Sequence, residues 1–265
     1  MIQSAPKHQK RVWITGASSG LGRSLAFALA NDHWLVYASA RNDIELKVMA
    51  DLDERIIPVP CDITDSESVM RVAAEIDRRS GGLERVILNA GSCEYLDFPE
   101  PDWGAVRRVM EINYFGTVNC VQAALPLLRN SQGRKAQLVI VASQVTGAPF
   151  PRAEAYGASK AALQYFSESL RIDLAPENID VTVVNPGFVD TPLTRQNDFD
   201  MPFLMPVEEA SQRIVSNIES HPDRYTFPWR LRALLSLSKL MPGSWRKMVA
   251  TDKTTAARSS GGIEP

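Results

Sequence analysis

The sequence is poor in the residues that build thiol and metal centres. Its three cysteines, Cys61, Cys93 and Cys120, lie far apart and are odd in number. They therefore suggest neither a disulfide framework nor a CxxC pair, and a reducing, cytoplasmic setting is the default expectation. The three histidines, His8, His33 and His221, are scattered without ligand spacing, so no metal site is expected. No GKS or GKT loop is present to bind ATP. A net charge of −2 supplies no global basic field, which argues against nucleic acid as a partner. No stretch reaches the roughly 18 to 20 uninterrupted apolar residues that a bilayer crossing needs. Met1–Lys10 also lacks the apolar run of a signal peptide.

What is present is a core-forming chain of 265 residues, 45% of them hydrophobic, a length that suits one α/β domain. Short apolar runs at Val12–Thr15, Leu35–Ala38, Ile56–Val59, Val86–Leu88, Leu138–Ala142, Val181–Val184 and Tyr225–Phe227 read as strands. Most lack in/out alternation, as parallel strands covered on both faces do. Amphipathic segments at Gly22–Asn31, Ile44–Asp51, Asp65–Ser80, Asp102–Leu128, Tyr156–Ala175 and Val207–Ser220 read as helices. Strict alternation predicts right-handed crossovers and a single doubly wound, Rossmann-type domain, with a mostly parallel seven-stranded sheet flanked by helices. Ligands of such sheets bind beyond the C-terminal strand ends.

The first strand runs into Gly16-Ala17-Ser18-Ser19-Gly20-Leu21-Gly22 and then a helix. Glycines allow a tight turn and close approach to a pyrophosphate, and the helix N-terminus offers free N–H groups. The spacing is GxxxGxG, not GxGxxG. With Asp62, Asn89-Ala90-Gly91, Asn113, Ser143, Tyr156, Lys160, Pro186-Gly187 and Thr191 following in order, the chain resembles the short-chain dehydrogenase/reductase family over roughly residues 10 to 228.

That resemblance implies a nicotinamide dinucleotide held by Gly16, Ser18, Ser19, Gly20, Leu21 and Gly22. It implies Asp62 at the adenine edge, Asn89, Ala90 and Gly91 supporting the core, and Pro186, Gly187, Val189 and Thr191 along the nicotinamide. Tyr156 and Lys160 would contact the cofactor as well as act in catalysis. Ser143, Tyr156 and Lys160 would be the catalytic group, and Asn113 would hold a water in the proton relay. Tyr156 and Lys160 are four residues apart, one helical turn, and a cation roughly 4 to 5 Å from a phenol would lower its pKa by about 2 to 3. At the end of the second strand Ala40 stands where an NAD enzyme needs a carboxylate, and Arg41 follows. A guanidinium suits a 2′-phosphate, so NADP(H) is favoured, with NAD(H) left open; Ser19 stands where many NADP-preferring relatives carry a second basic residue.

The functional expectation is hydride transfer between NADPH and an apolar carbonyl or alcohol, with Tyr156 as general acid/base. The alternative is a non-catalytic dinucleotide sensor or scaffold on the same fold. The domain plan is an extension over 1–10, a core over 11–228 with a substrate lid at about 188–206, a basic amphipathic extension over 229–250, and a flexible tail over 251–265. Pro242-Gly243 is expected to split the extension into two helices. Packing against the lid or a second subunit ranks above peripheral membrane contact for this segment. A homodimer or homotetramer is implied by resemblance.

Overall fold

The computed structural model describes residues 9–131 and 135–259, with side chains to residue 250. Among the described residues, β1 (Arg11–Thr15), β2 (Leu35–Ser39), β3 (Ile56–Pro58), β4 (Arg85–Leu88), β5 (Ala136–Val141), β6 (Ile179–Pro186) and β7 (Arg224–Phe227) form one sheet. Its order is β3-β2-β1-β4-β5-β6-β7, and every pairing is parallel. The expected sheet is therefore present and parallel throughout. β1, β4 and β5 are buried along their whole length, because helices cover both faces.

One face carries α3 (Ser66–Ser80), α5 (Gly116–Arg129) and α6 (Glu154–Leu174), with Ile76, Ala124 and Leu163 in their shared core. The other carries α1 (Gly20–Asn31), α2 (Asp43–Leu52) and α7 (Val207–Ile218), cored by Leu25, Met49 and Ile214. Asn42 and Asp65 cap α2 and α3 through their side chains, each satisfying a free helix N–H. The strand order reverses between β1 and β4, which opens a crevice at their C-terminal ends.

The segment expected as one helix, Asp102–Leu128, is instead α4 (Gly104–Met110), a π-turn over Glu111–Phe115, and α5. Apolar periodicity is nearly the same for the two forms, so the sequence does not separate them. Beyond the sheet, α8 (Trp229–Leu240) and α9 (Pro242–Ser259) meet at the expected break, since Pro242 lacks the N–H to continue α8. The expected extension over 1–10 lies outside the described residues except at positions 9 and 10. The expected flexible tail over 251–265 likewise lies outside them, apart from the helical backbone of α9. Among the described residues no helix is long and apolar enough to cross a membrane.

Candidate active site

The crevice holds a cleft of about 400 Å³. The loop after β1 forms its floor, with Gly16 at φ +68° and Gly20 at φ +51°, conformations that favour glycine. Of the loop's glycines, Gly22 permits the tightest contact: a Cβ there would lie 2.2 Å from the Gly16 carbonyl oxygen and 2.5 Å from Asn89 Nδ2. Asn89 in turn donates from that amide to the Thr15 and Gly16 carbonyls at 3.3 Å each, while Thr15 Oγ1 accepts from the Asn89 and Ala90 amides. Gly22→Ala should therefore push the loop from its position and cost about 1–3 kcal/mol; a thermal melt would record it, and an unchanged melting temperature would contradict the close contact.

Ser19, at the N-cap of α1, makes no side-chain capping bond, unlike Asn42 and Asp65. The N-terminal amides of α1 thus face the cleft without a side-chain acceptor, a setting suited to an anion. Ser18, Leu21, Ala90, Gly91, Pro186, Gly187, Val189 and Thr191 line the same cleft. Arg41 is exposed at its rim beside Ala40 and Asn42. Burial pushes the Asp62 carboxyl up, but the Thr64 backbone and hydroxyl hydrogen bonds, at 2.9 and 2.8 Å, and the Arg41 charge bring it below its ordinary value. The donor set, the positive-φ glycines and the uncapped helix end all fit a dinucleotide.

At the far end of the cleft, Ser143 follows β5 by two residues and α6 presents Tyr156 and Lys160. The Ser143 hydroxyl accepts from the Val145 amide at 3.1 Å and lines the cleft beside Tyr156. Lys160 is 4% exposed; its Nζ donates to the Val141 carbonyl at 2.9 Å and lies 5.8 Å from the centroid of the Tyr156 ring. Burial pushes the Tyr156 phenol up to about 12, against the lowering influence of Ser143. Burial likewise pulls Lys160 down to about 8. This corrects the expectation that Lys160 lowers the phenol: desolvation of the phenolate outweighs an ammonium that is set back against a carbonyl.

Asn113 lies in the π-turn, fully buried. Its Oδ1 accepts from the Ser92 amide at 2.7 Å, and its Nδ2 donates to the Ser92 carbonyl and Ser159 Oγ, both at 2.9 Å. Ser159 Oγ also donates to the Tyr156 carbonyl at 2.8 Å. The amide therefore ties the β4 loop to the first turn of α6, and only Gly91 separates its oxygen from Lys160: a Cβ on Gly91 would sit 3.2 Å from Asn113 Oδ1 and 3.4 Å from Lys160 Nζ.

Behind Ser143 and Tyr156 is a second, apolar pocket of about 100 Å³. Phe150, Phe188, Leu193, Phe199, Leu231 and Leu235 supply its apolar walls, with Cys93, Tyr95 and Asn197 at a polar end. Gln144 Nε2 donates to the Phe227 carbonyl at 2.7 Å, and its buried Oε1 has no partner among the described residues. The segment expected as a lid is closed at its base by Met205 and Asp190 amides, donating to Phe188 and Met205 carbonyls at 3.0 and 2.8 Å. Of its apolar latter half, Phe199 reaches the pocket, Met205 joins the main core and Phe203 and Leu204 are exposed. Much of the expected lid lining thus comes from elsewhere, including α8, whose Leu231 and Leu235 pack beside Trp245 and Phe150. Sequence reasoning missed Cys93, Tyr95, Gln144 and Phe150; no local pattern marks them.

A family model described as short chain dehydrogenase matches residues 10–201. An uncharacterized oxidoreductase of Myxococcus xanthus is 34% identical over 233 residues, 86% of this chain and 91% of that protein. A protein of Sesamum indicum named 11-beta-hydroxysteroid dehydrogenase A is 36% identical over 193 residues, 70% of this chain; the chain spans 54% of its length. Among solved structures, a short chain dehydrogenase from Burkholderia cenocepacia in complex with NADP matches with a TM-score of 0.79 and 29% identity, covering 91% of this chain and 97% of that one.

Proposed function

The chain belongs to the short-chain dehydrogenase/reductase family of oxidoreductases, and from that premise we propose that it interconverts an apolar carbonyl compound and its alcohol, with NADP(H) favoured. One observation carries the reading: Ser143 and Tyr156 line both the dinucleotide cleft and the apolar pocket. A substrate oxygen reached from the pocket would meet both hydroxyls on the cleft's own wall.

The glycine loop and the uncapped end of α1 would hold the pyrophosphate, Asp62 the adenine edge, Arg41 a 2′-phosphate and Lys160 the nicotinamide ribose. When bound, the nicotinamide supplies or accepts the hydride. Tyr156 gives its phenolic proton to the developing alkoxide, and Ser143 donates a hydrogen bond to the same oxygen. With its phenol pushed up to about 12, Tyr156 is in its acid form at neutral pH, which suits carbonyl reduction. Asn113, expected to hold a relay water, has a narrower positioning role in this proposal, through Ser159 and Ser92.

The apolar walls and the likeness to a protein named for steroid dehydrogenation favour an apolar carbonyl. NADPH oxidation across aldehydes, aliphatic and cyclic ketones, steroids, quinones and sugars tests this. Turnover should concentrate on the apolar ketones; activity confined to small polar ketones or sugars would overturn it. Cofactor binding with no turnover on any of them would favour the sensor reading instead. A homodimer through α5 and α6 is also proposed, supported by Tyr165 and Ile172 on α6, 80% and 75% exposed.

A further inference from the structure

Residues 228–251 contain no aspartate or glutamate, yet carry Arg230, Arg232, Lys239, Arg246 and Lys247. In a chain of net charge −2, this is a concentrated basic segment, and it coincides with α8 and the start of α9. α8 is apolar on two faces. Leu231, Leu235 and Ser238 turn inward and are buried. At about 100° per residue, Trp229, Ala233, Leu237 and Leu240 fall within an arc of roughly 80° on the opposite side. That outer stripe faces solvent: Trp229 is 71%, Leu237 55% and Leu240 79% exposed. Arg232 and Lys239 fall along one flank of the stripe and Arg230 along the other, all exposed. Met241 and Met248 continue the exposed apolar surface past the break.

We infer that the outer face of α8 is a docking surface for an anionic lipid bilayer. The arrangement has both components such contact requires, an apolar stripe to enter the headgroup–acyl boundary and flanking cations to meet anionic headgroups. A tryptophan at the helix start suits the interfacial level. The inner face keeps α8 fixed to the body: Trp245 of α9 donates from Nε1 to the Pro149 carbonyl at 2.7 Å and packs edge-on against Phe150. The outer stripe is therefore not needed for folding. A buried charge is nowhere required, since the flanking cations stay at the polar level. If the apolar-substrate reading also holds, the pocket wall formed by Leu231 and Leu235 stands one helix diameter, about 10–12 Å, from the lipid surface.

Co-sedimentation of the full chain with phosphatidylcholine vesicles, with and without phosphatidylglycerol, tests the inference and needs no turnover. The chain should partition onto the phosphatidylglycerol vesicles and come off as salt is raised. Neutralising Arg230, Arg232 and Lys239 together to Gln should weaken partitioning by roughly fivefold per side chain, on the order of a hundredfold in all. Leu237→Ser with Leu240→Ser should abolish it, with an unchanged melting temperature reporting that the fold is intact. No preference for anionic vesicles, or equal binding by these variants, would overturn the inference. So would a chain dimer, seen by light scattering, that the Leu237→Ser/Leu240→Ser variant converts to monomer without any vesicle binding; the outer face would then belong to a second copy.

Discussion

Tyr156→Phe should lower kcat for carbonyl reduction by about 10²–10⁴ while leaving the affinity for NADPH near that of the parent. The substitution removes one oxygen from a side chain whose ring remains packed against the α6 turn. The Ser159–Asn113 brace is untouched, because it holds the Tyr156 backbone and not the phenol. Cofactor titration by fluorescence, run beside single-turnover reduction, separates binding from proton transfer. The pH profiles of the parent enzyme provide a second readout. A phenol pushed up to about 12 by burial is protonated throughout the neutral range, so reduction should be nearly flat between pH 6 and 8. Alcohol oxidation needs the phenolate, whose fraction grows about tenfold per pH unit below the pKa, so oxidation should climb with pH over the same window. Lys160, pulled down to about 8, is nearly fully charged from pH 6 to 7 and falls to about half charged at pH 8, so the slope is read between pH 6 and 7. The Phe variant should lose the climb. A variant that turns over like the parent, or an oxidation rate that falls as pH rises, would exclude Tyr156 as the proton-transfer group.

The parts of this site that the sequence made legible are those built by short stretches of chain. A strand, a glycine loop and a helix start are contiguous over Arg11–Asn31, and the close packing of Gly22 on Gly16 follows from their local path. Tyr156 and Lys160 are one turn apart on α6, so their common face needed no tertiary information. Pro242 announced the α8–α9 break for the same reason. The apolar pocket was illegible because its walls come from Cys93–Tyr95, Gln144–Phe150, the lid and Leu231–Leu235, segments that meet only when the sheet is complete. Arg85 precedes the apolar run Val86–Leu88, yet it belongs to β4 and is 2% exposed, with its guanidinium bonded to Gln137 and Glu219 at 2.6 and 2.7 Å. The phenol's acidity was misjudged on similar grounds. Spacing along a helix gives the distance between two groups, whereas desolvation depends on everything packed around them.

Arg41→Ala should raise the KM for NADPH by roughly 10- to 100-fold, with little change in kcat and little effect on NADH. Arg41 lies at the cleft rim, exposed and next to Ala40 at the end of β2. Its charge reaches Asp62 across the cleft, and the set of close ion pairs among the described residues does not engage it. A guanidinium so placed is available to phosphate oxygens, and hydrogen bonds to charged groups contribute about 1.5–3 kcal/mol each. Loss of such a contact, distant from Tyr156 and Ser143, removes binding that ground and transition states share, which raises KM and spares kcat. Ala40→Asp provides the converse experiment. It adds the carboxylate that would accept from both ribose hydroxyls and repel a 2′-phosphate, so Ala40→Asp with Arg41→Ala should invert the preference towards NADH. Ser19, exposed and free of a capping bond, adds no cation there, so the proposal assigns discrimination to Arg41 alone. Steady-state kinetics with both cofactors decide the matter: a parent enzyme that prefers NADH, or an Arg41→Ala variant that loses NADH and NADPH affinity equally, would remove the phosphate contact from the proposal.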